Sequence, residues 1–352
     1  LYPRCVEILE NVPLAPYTTF RIGGPARWFA EASNEEELLE VVLFAGQKQA
    51  PLFVLGGGSN LLVSDAGFPG VVVRMAMKGI EARQDGDAAL FAVAAGEEWD
   101  GFVHYAVQQN CAGIECLAGI PGTVGGTPVQ NVGAYGQEVA ETITQVQALD
   151  LDAVEFVDLS PQQCRFQYRR SIFNSTARGR YIVTQVQYRL QPGGAPKIAY
   201  ADLKKHFSGH SGAPTLCEVY DAVREIRHGK GMLLVEGEED CRSAGSFFKN
   251  PVIPQEQLPA IAAALAVAVD AVPRYPAAEG RVKLPAAWLL EKAGFHKGFF
   301  LGQAGISSRH TLALINRGAA TAADIAALRD RIVAEVEAKF GVHLQPEPVC
   351  VG

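Results

Sequence analysis

The sequence predicts an α/β part followed by an α+β part. Three patterns carry this expectation: short apolar strands that stop at glycine clusters, alternating strand-type runs in the middle, and amphipathic helices around one extended segment in the last third. With 352 residues and a usual domain size of roughly 100–200 residues, two or three domains are expected.

The elements follow in order along the chain. Ser33-Asn34-Glu35-Glu36 has the spacing of a capping box, and Leu38, Val41, Val42 and Ala45 follow at helical intervals, so a helix is expected over 34–48. Residues 51–55 read as a strand that stops at Gly56-Gly57-Gly58-Ser59-Asn60, with further strands at 61–63 and 71–74. Over 98–110, Trp99, Phe102, Val103 and Ala106 share one helical face before a second glycine cluster at 119–136. Runs at 143–149 and 181–190 alternate as strands do, and the Pro/Gly-rich 191–196 breaks the pattern, which puts a domain boundary within 191–212. Helices at 214–228, 254–268, 284–293 and 321–340 then surround an extended segment at 245–253. The last helix is capped by Thr321 and Asp324, lined by Ile325, Leu328, Ile332, Val336 and Phe340, and ended by Gly341.

Composition narrows the function classes. Hydrophobic residues make up 48% and charged residues 20%, and the net charge of −7 gives no global basic surface for nucleic acid or anionic lipid, so neither is an expected partner. The longest apolar stretch, 260–269, is interrupted by Asp270, whereas a span needs ~20 residues, so no membrane insertion is expected. The first residues lack a basic region followed by an apolar core, and the seven cysteines (5, 111, 116, 164, 217, 241, 350) form an odd set without a CxxC pair. Both features fit a cytoplasmic protein with reduced thiols. His206 and His210 have helical metal-ligand spacing but no accompanying carboxylate motif, and no metal is expected.

The 36 glycines and 20 prolines, about 16% of the chain, exceed the usual ~12%. The excess is concentrated in the two glycine clusters. Gly56-Gly57-Gly58 cannot be a dinucleotide fingerprint, because Leu61 holds the third glycine's place and strand follows instead of helix. The second cluster lacks the lysine of a phosphate-binding P-loop, since Thr127 and Pro128 follow Gly126. Glycine still admits positive φ and lets backbone N–H groups approach a ligand. Two such nests, flanked by Ser59, Asn60, Thr127, Gln130 and Asn131, suit a pyrophosphate; tight-turn chemistry alone is the competing reading.

Seven stretches then carry a resemblance: Thr19-Phe-Arg-Ile-Gly-Gly24, Leu55-Gly-Gly-Gly-Ser-Asn-Leu-Leu62, Ile120-Pro-Gly-Thr-Val-Gly-Gly126, Gln130-Asn-Val-Gly-Ala-Tyr-Gly136, Tyr168-Arg-Arg-Ser-Ile-Phe173, Ala244-Gly-Ser-Phe-Phe-Lys-Asn-Pro251 and Pro346-Glu347. In these, over almost its whole length, the chain resembles the UDP-N-acetylenolpyruvoylglucosamine reductase family. The resemblance implies a two-lobed FAD-binding domain of the vanillyl-alcohol-oxidase-like (PCMH) type plus a C-terminal α+β substrate-binding domain. The implied boundaries are 1–76 for lobe 1, joined by the C-terminal strand 345–352, then 77–212 for lobe 2 and 213–344 for the substrate domain. It also implies non-covalent FAD, reduction by NADPH, and conversion of UDP-N-acetylglucosamine enolpyruvate to UDP-N-acetylmuramate in peptidoglycan synthesis, by a monomer.

Residue by residue, the resemblance implies three catalytic groups. Arg169 meets the enolate charge, a task suited to a permanently charged guanidinium. Ser246 gives the proton to C2, and Glu347, held stiffly between Pro346 and Pro348, stabilises the enol or carries its proton. The implied FAD contacts are Gly56, Gly57, Gly58, Ser59, Asn60, Leu61, Pro121, Gly122, Gly125, Gly126, Thr127, Asn131, Gly133, Ala134, Tyr135, Gly136 and Val183. Lys230, Lys297 and Asn250 are implied for the substrate diphosphate, with Arg227 one helical turn before Lys230 and expected to share its pocket. Tyr200 matches the tyrosine that closes over UDP in one subtype, although the stretch 229–240 is longer and more acidic than that subtype implies. Thr18, Gly126 with Thr127, and His310 depart from the family's common residues. Two other readings stay open: another FAD oxidoreductase of the same superfamily acting on a sugar or lactone, and a catalytically inactive nucleotide-sugar module.

Overall fold

The computed structural model describes residues 6–352, so Cys5 lies outside the described residues. The chain forms two compact units. The first holds residues 6–12, Ala26–Gly58 and Pro69–Gly229; the second holds Pro13–Pro25, Ser59–Phe68 and Lys230–Gly352.

The first unit contains two sheets with separate cores. In the smaller sheet the strand order is Leu9–Pro13, Pro25–Ala32, Phe68–Met75, Leu52–Leu55, the last pair being parallel. Helix Glu35–Gln47 closes it, burying Leu38, Val41 and Ala45 against Trp28, Ala30, Val71 and Val73. The cap falls one residue later than expected. Asn34 is extended and its side chain accepts from Glu37 N, while Ser33 N–H donates to the Glu37 carboxylate.

The larger sheet runs Glu155–Leu159, Ile143–Asp150, Tyr181–Pro192, Ala88–Ala94, Ile80–Asp85, all antiparallel, with Cys111–Ala112 pairing to the end of Tyr181–Pro192. Helix Trp99–Gln108 lies on it through an aromatic cluster of Phe91, Trp99, Phe102 and Tyr188.

The stretch 191–212, where the sequence puts a boundary, packs onto the core of the larger sheet. That stretch carries a helix, Ala201–His206, whose Leu203 is fully buried, and Leu203 joins Leu216, Val219, Ala222 and Val223 of helix Leu216–Gly229 in the core of the larger sheet. The units change over after Gly229 instead. The helix also ends at His206, so His206 and His210 do not share one helical face; His210 Nε2 lies 3.6 Å from Glu218 Oε1.

The second unit has a four-stranded antiparallel sheet in the order Ser243–Ser246, Ala313–Asn316, Ala304–Ile306, Phe300–Leu301, and a three-stranded one of Val252–Pro254, Arg281–Lys283 and Tyr275–Pro276. Val349–Val351 runs parallel to Leu61–Val63, so the C-terminal segment does return to an early strand, but both strands belong to this unit. Helices Leu258–Ala264, Ala286–Lys292 and Ala322–Phe340 pack over one core with Phe20, Phe247 and Phe248. The helix expected over 254–268 is shorter for a physical reason. Proline is tolerated only in a helix's first turn, so Pro259 sets its start, and Ala266 at φ 53° closes it.

Helix Ala322–Phe340 has the reciprocal capping box between Thr321 and Asp324, and Gly341 at φ 64° caps its end. Thr321→Ala is expected to lower unfolding stability by about 1 kcal/mol. Urea unfolding checks this as a lower midpoint at unchanged slope.

Candidate active site

In the first unit the two glycine clusters meet. A Cβ on Gly57 would lie 2.5 Å from Gly122 Cα, and one on Gly56 would lie 2.8 Å from Thr123 Oγ1. Gly125 is equally constrained, since its Cβ would sit 2.6 Å from Ala95 Cβ, whereas a Cβ on Gly126 would meet nothing. Three of these glycines therefore answer to packing within the protein; Gly126 does not.

The second cluster is held at its start from both sides. Gly119 N–H donates to Asp100 Oδ1 at 2.5 Å, and Gly119 O accepts from Arg227 Nε at 3.0 Å. Asp100 in turn pairs with Arg224. Arg227, expected to share a pocket with Lys230, has its guanidinium buried, with Nε donating to Gly119 O and a further hydrogen bond to Tyr135. Burial pulls its pKa down, with Tyr135 and Asp100 opposing the shift.

Thr127 and Asn131 are buried with their side chains turned to the protein. Thr127 Oγ1 donates to Val124 O at 2.8 Å and accepts from Tyr188 OH at 2.7 Å, a hydroxyl whose pKa burial pushes up. Asn131 Nδ2 reaches Glu138 Oε2 at 2.7 Å and Gln167 O at 3.1 Å, while its Oδ1 accepts from Ala140 N. Further on, Gly133–Ala134 and Gln137–Glu138 form a hairpin. Tyr135 at φ 48° and Gly136 at φ 87° are its two turn residues, the pattern of a type I′ turn.

Arg169 sits at φ 54° in the tight turn closed by reciprocal hydrogen bonds between Gln167 and Arg170. Its Nη2 donates to Gly133 O at 2.8 Å. Ser171 Oγ donates to Val129 O at 2.6 Å and so ties this turn to the second glycine cluster. Tyr200 is exposed at the start of helix Ala201–His206, its ring edge-on to Tyr135 with centroids 5.3 Å apart. Val183 is buried in strand Tyr181–Pro192.

In the second unit, the chain after Ser246 runs between two others. Phe247 N–H donates to Leu312 O, Glu347 N–H donates to Phe247 O, both at 2.8 Å, and Phe248 pairs with Pro346. Buried Phe247 and Phe248 anchor this segment, so Ser246 and Glu347 lie on directly bonded segments although 100 residues intervene in sequence. Asn60 fixes Glu347's backbone: its Nδ2 donates to Glu347 O at 3.3 Å and its O accepts from Val349 N at 2.9 Å.

Asn250 Oδ1 accepts from Ala286 N, the first N–H of helix Ala286–Lys292, at 2.9 Å. Lys230 and Lys297 both act on His310, whose Nδ1 accepts from Leu312 N at 3.1 Å. Burial and then those two lysines push the imidazole's pKa down to about 4, with Glu291 opposing. The acidic stretch 229–240 is likewise tied inward: Arg309 bonds Glu238 and Asp240, and Asp240 also accepts from Ser308. Among the described residues no cluster of three or more His, Cys, Asp or Glu is placed to hold a metal, and no helix is long and apolar enough to cross a membrane.

Residues 26–158 match the FAD binding domain family, and residues 237–351 match the family described as UDP-N-acetylenolpyruvoylglucosamine reductase, C-terminal domain. A protein of that name from Streptomyces coelicolor is 45% identical over 99% of this chain and 91% of its own length. The chain belongs to the UDP-N-acetylenolpyruvoylglucosamine reductase family. A relative from Thermobifida fusca is 43% identical over 97% of this chain and 98% of its own. The crystal structure of the Thermus caldophilus reductase superposes with a TM-score of 0.66 at 26% identity, covering 99% of each chain. As a member of this reductase family the chain is an FAD-binding oxidoreductase, with the expected order of a mixed α/β FAD-binding domain and a C-terminal domain.

Sequence reading missed Asp100 and Ser171 as supports of the site. Only Ser171 lies in a motif that had been singled out. His310 had been noted merely as a departure from the reductase family's usual residue, yet it lies among the cations expected to bind substrate. Its folded pKa of about 4 is below the unfolded 6.5, so between these values the unfolded chain binds a proton that the folded chain does not. His310 therefore contributes stability that is fully present above pH 6.5 and is lost as pH falls toward 4. His310→Gln is expected to flatten this dependence. Urea unfolding at pH 7 and pH 5 should show a smaller stability loss in the variant, and equal losses would refute the assignment.

Proposed function

We propose that this chain reduces UDP-N-acetylglucosamine enolpyruvate to UDP-N-acetylmuramate, the peptidoglycan precursor, with electrons from NADPH passed through non-covalently bound FAD. The observation that supports this reading is the direct backbone pairing of the Gly-Ser-Phe-Phe segment with the Pro-Glu-Pro segment, on which Ser246 and Glu347 lie. A flavin oxidase has no comparable need for both groups.

The residues present fit the flavin. Two glycine turns pack so tightly that main chain is presented without side chains, which suits a diphosphate held by backbone N–H groups. Gly126, where a side chain would meet nothing in the protein, fits a surface that a ligand covers. We assign flavin contacts to residues 56–61, to Pro121, Gly122, Gly125 and Gly126, to residues 133–136 and to Val183; Thr127 and Asn131 contribute by shaping the loop. Bound there, FAD would supply the hydride-transfer chemistry that links NADPH oxidation to reduction of the enolpyruvyl double bond.

The chain's own groups handle charge and proton. As hydride adds to the β-carbon, electron density moves toward C2 and the substrate carboxylate, and Arg169 balances it with a fixed positive charge. Ser246 donates its hydroxyl proton to C2, which completes the addition of one hydride and one proton across the double bond. Glu347, held by Asn60 and flanked by prolines, stabilises the enol and returns the proton to Ser246. Lys230, Lys297 and the Asn250 NH2 group neutralise the substrate diphosphate, His310 adds a neutral donor, and Tyr200 closes over the nucleotide as in the tyrosine-loop subtype. We further infer a cytoplasmic monomer, with the first unit divided into two FAD-binding lobes near residue 76, in keeping with its two sheets and two cores.

Two expected outcomes test this. Purified protein is yellow, bleaches with NADPH and recolours when the enolpyruvyl UDP-sugar is added; Ser246→Ala and Glu347→Gln bleach normally but recolour slower by ~10²–10⁴-fold. A colourless protein, or unchanged recolouring in both variants, would sink the reading. Separately, Gly126→Ala retains the wild-type melting temperature of the flavin-free protein but binds FAD more weakly, whereas Gly57→Ala loses fold stability as well. Flavin titration with thermal melting separates the two.

A further inference from the structure

Glu115 lies in the short 3-10 helix Glu115–Leu117 and is fully buried, yet none of the steps above uses it. Three donors converge on its carboxylate. Gly113 N–H reaches Oε2 at 2.8 Å, while Lys197 N–H and Gln137 Nε2 both reach Oε1 at 2.9 Å. A buried carboxylate is tolerated only where donors satisfy it, and here they come from three separate stretches of chain.

Two of those stretches carry tyrosines. Gln137 stands in the hairpin whose turn residues are Tyr135 and Gly136, and its own Oε1 accepts from Cys116 N at 2.8 Å. Lys197 stands three residues before Tyr200, and its carbonyl accepts from Cys116 Sγ at 3.1 Å. Consecutive residues 115 and 116 thus grip both sides of the Lys197 peptide. Burial and the neighbouring Glu115 push the Cys116 pKa up, which keeps the thiol protonated as a donor. The two tyrosines whose bases are held in this way meet edge to face, 5.3 Å between centroids.

We propose that Glu115 is a positioning residue that sets the Tyr135–Tyr200 pair, tying the hairpin that presents Tyr135 and the strap that presents Tyr200 to one buried carboxylate. The proposal rests on the reading of Tyr200 as the residue that closes over the nucleotide. It makes the strap's base rigid and confines motion to the residues beyond Lys197. The role calls for a carboxylate: a glutamine at 115 turns its NH2 group toward Gly113 N–H or toward Lys197 N–H and Gln137 Nε2, so a donor faces a donor in either orientation.

Hydrogen exchange on the FAD-bound protein tests the anchor without reference to turnover. In the wild type the Lys197 amide exchanges as slowly as the amides of the larger sheet; exchange at the rate of an open loop overturns the proposal, even if no variant folds. In Glu115→Gln, exchange over 133–138 and 195–200 rises at least ~10-fold, while exchange in helix Trp99–Gln108 stays unchanged. Lys197→Ala removes the ammonium that pairs with Glu141 but keeps the N–H, and its exchange stays as in the wild type; equal loosening in this variant would transfer the anchor to the Lys197–Glu141 pair and refute the proposal.

Kinetics supply a second readout. Glu115→Gln raises KM for the enolpyruvyl UDP-sugar ~10-fold, a larger change than in the rate of NADPH-driven bleaching; slowed bleaching with unchanged KM overturns the proposal. A wild-type protein that bleaches with NADPH but never turns over the UDP-sugar refutes the functional reading and leaves the exchange result standing.

Discussion

Two turns far apart in sequence, Gly56-Gly57 and Gly122-Thr123, approach so closely in the first unit that a Cβ on Gly57 would lie 2.5 Å from Gly122 Cα. No other residue fits at position 57 without moving main chain. Much of the surrounding structure can be understood as holding these turns together. Gly125 must approach Ala95 so that its N–H can bond Ala95 O, and Gly119 is gripped by Asp100 and Arg227 from two helices. Removing side chains gains a close approach at the cost of chain entropy, and the clamps offset that cost by fixing the loop from outside.

The clamps also determine which groups remain for a ligand. Thr127, Asn131, Arg227 and Glu115 are polar residues in or around the second cluster, and each has hydrogen bonds committed within the protein. Leaving any of them unsatisfied in a buried place would cost about 1–3 kcal/mol. The loop therefore offers a ligand chiefly its backbone, a donor array that carries no formal charge. An acidic chain, net −7, can hold an anionic group by such means, because backbone N–H donors act locally.

What was legible in the sequence was local. Thr321, Asp324 and Gly341 bracket their helix because capping needs particular residues at particular places. The stretch 191–212 read as a boundary because the Pro/Gly-rich 191–196 interrupts the strand pattern, yet Leu203 and Phe207 beyond it pack inward. Two glycine nests were expected, but their mutual contact was not, since nothing near residue 57 names residue 122. Glu115 was invisible for the same reason: two of its three donors are backbone N–H groups, which leave no mark in the sequence, and its partners lie at 113, 137 and 197. Ser246 and Glu347 were found through resemblance, and their adjacency is a property of strand pairing across the chain.

Backbone strain adds an independent argument about the first unit. Asn131, Tyr135 and Arg169, none of them glycine, occupy the left-handed region at φ 47°, 48° and 54°. Each placement costs about 1–2 kcal/mol. The three are linked: Asn131 Nδ2 bonds Gln167 O in the turn that carries Arg169, and Arg169 Nη2 bonds Gly133 O in the hairpin that carries Tyr135. Glycine at any of the three would relieve the strain but remove the amide, the ring or the guanidinium. A loop under pressure for stability alone would favour glycine there, as it does at Gly136. At Asn131 and Arg169 the side chains offset that strain with hydrogen bonds to Gln167 O and Gly133 O that a glycine could not make, so the strained positions and the bonds that hold them form one connected set.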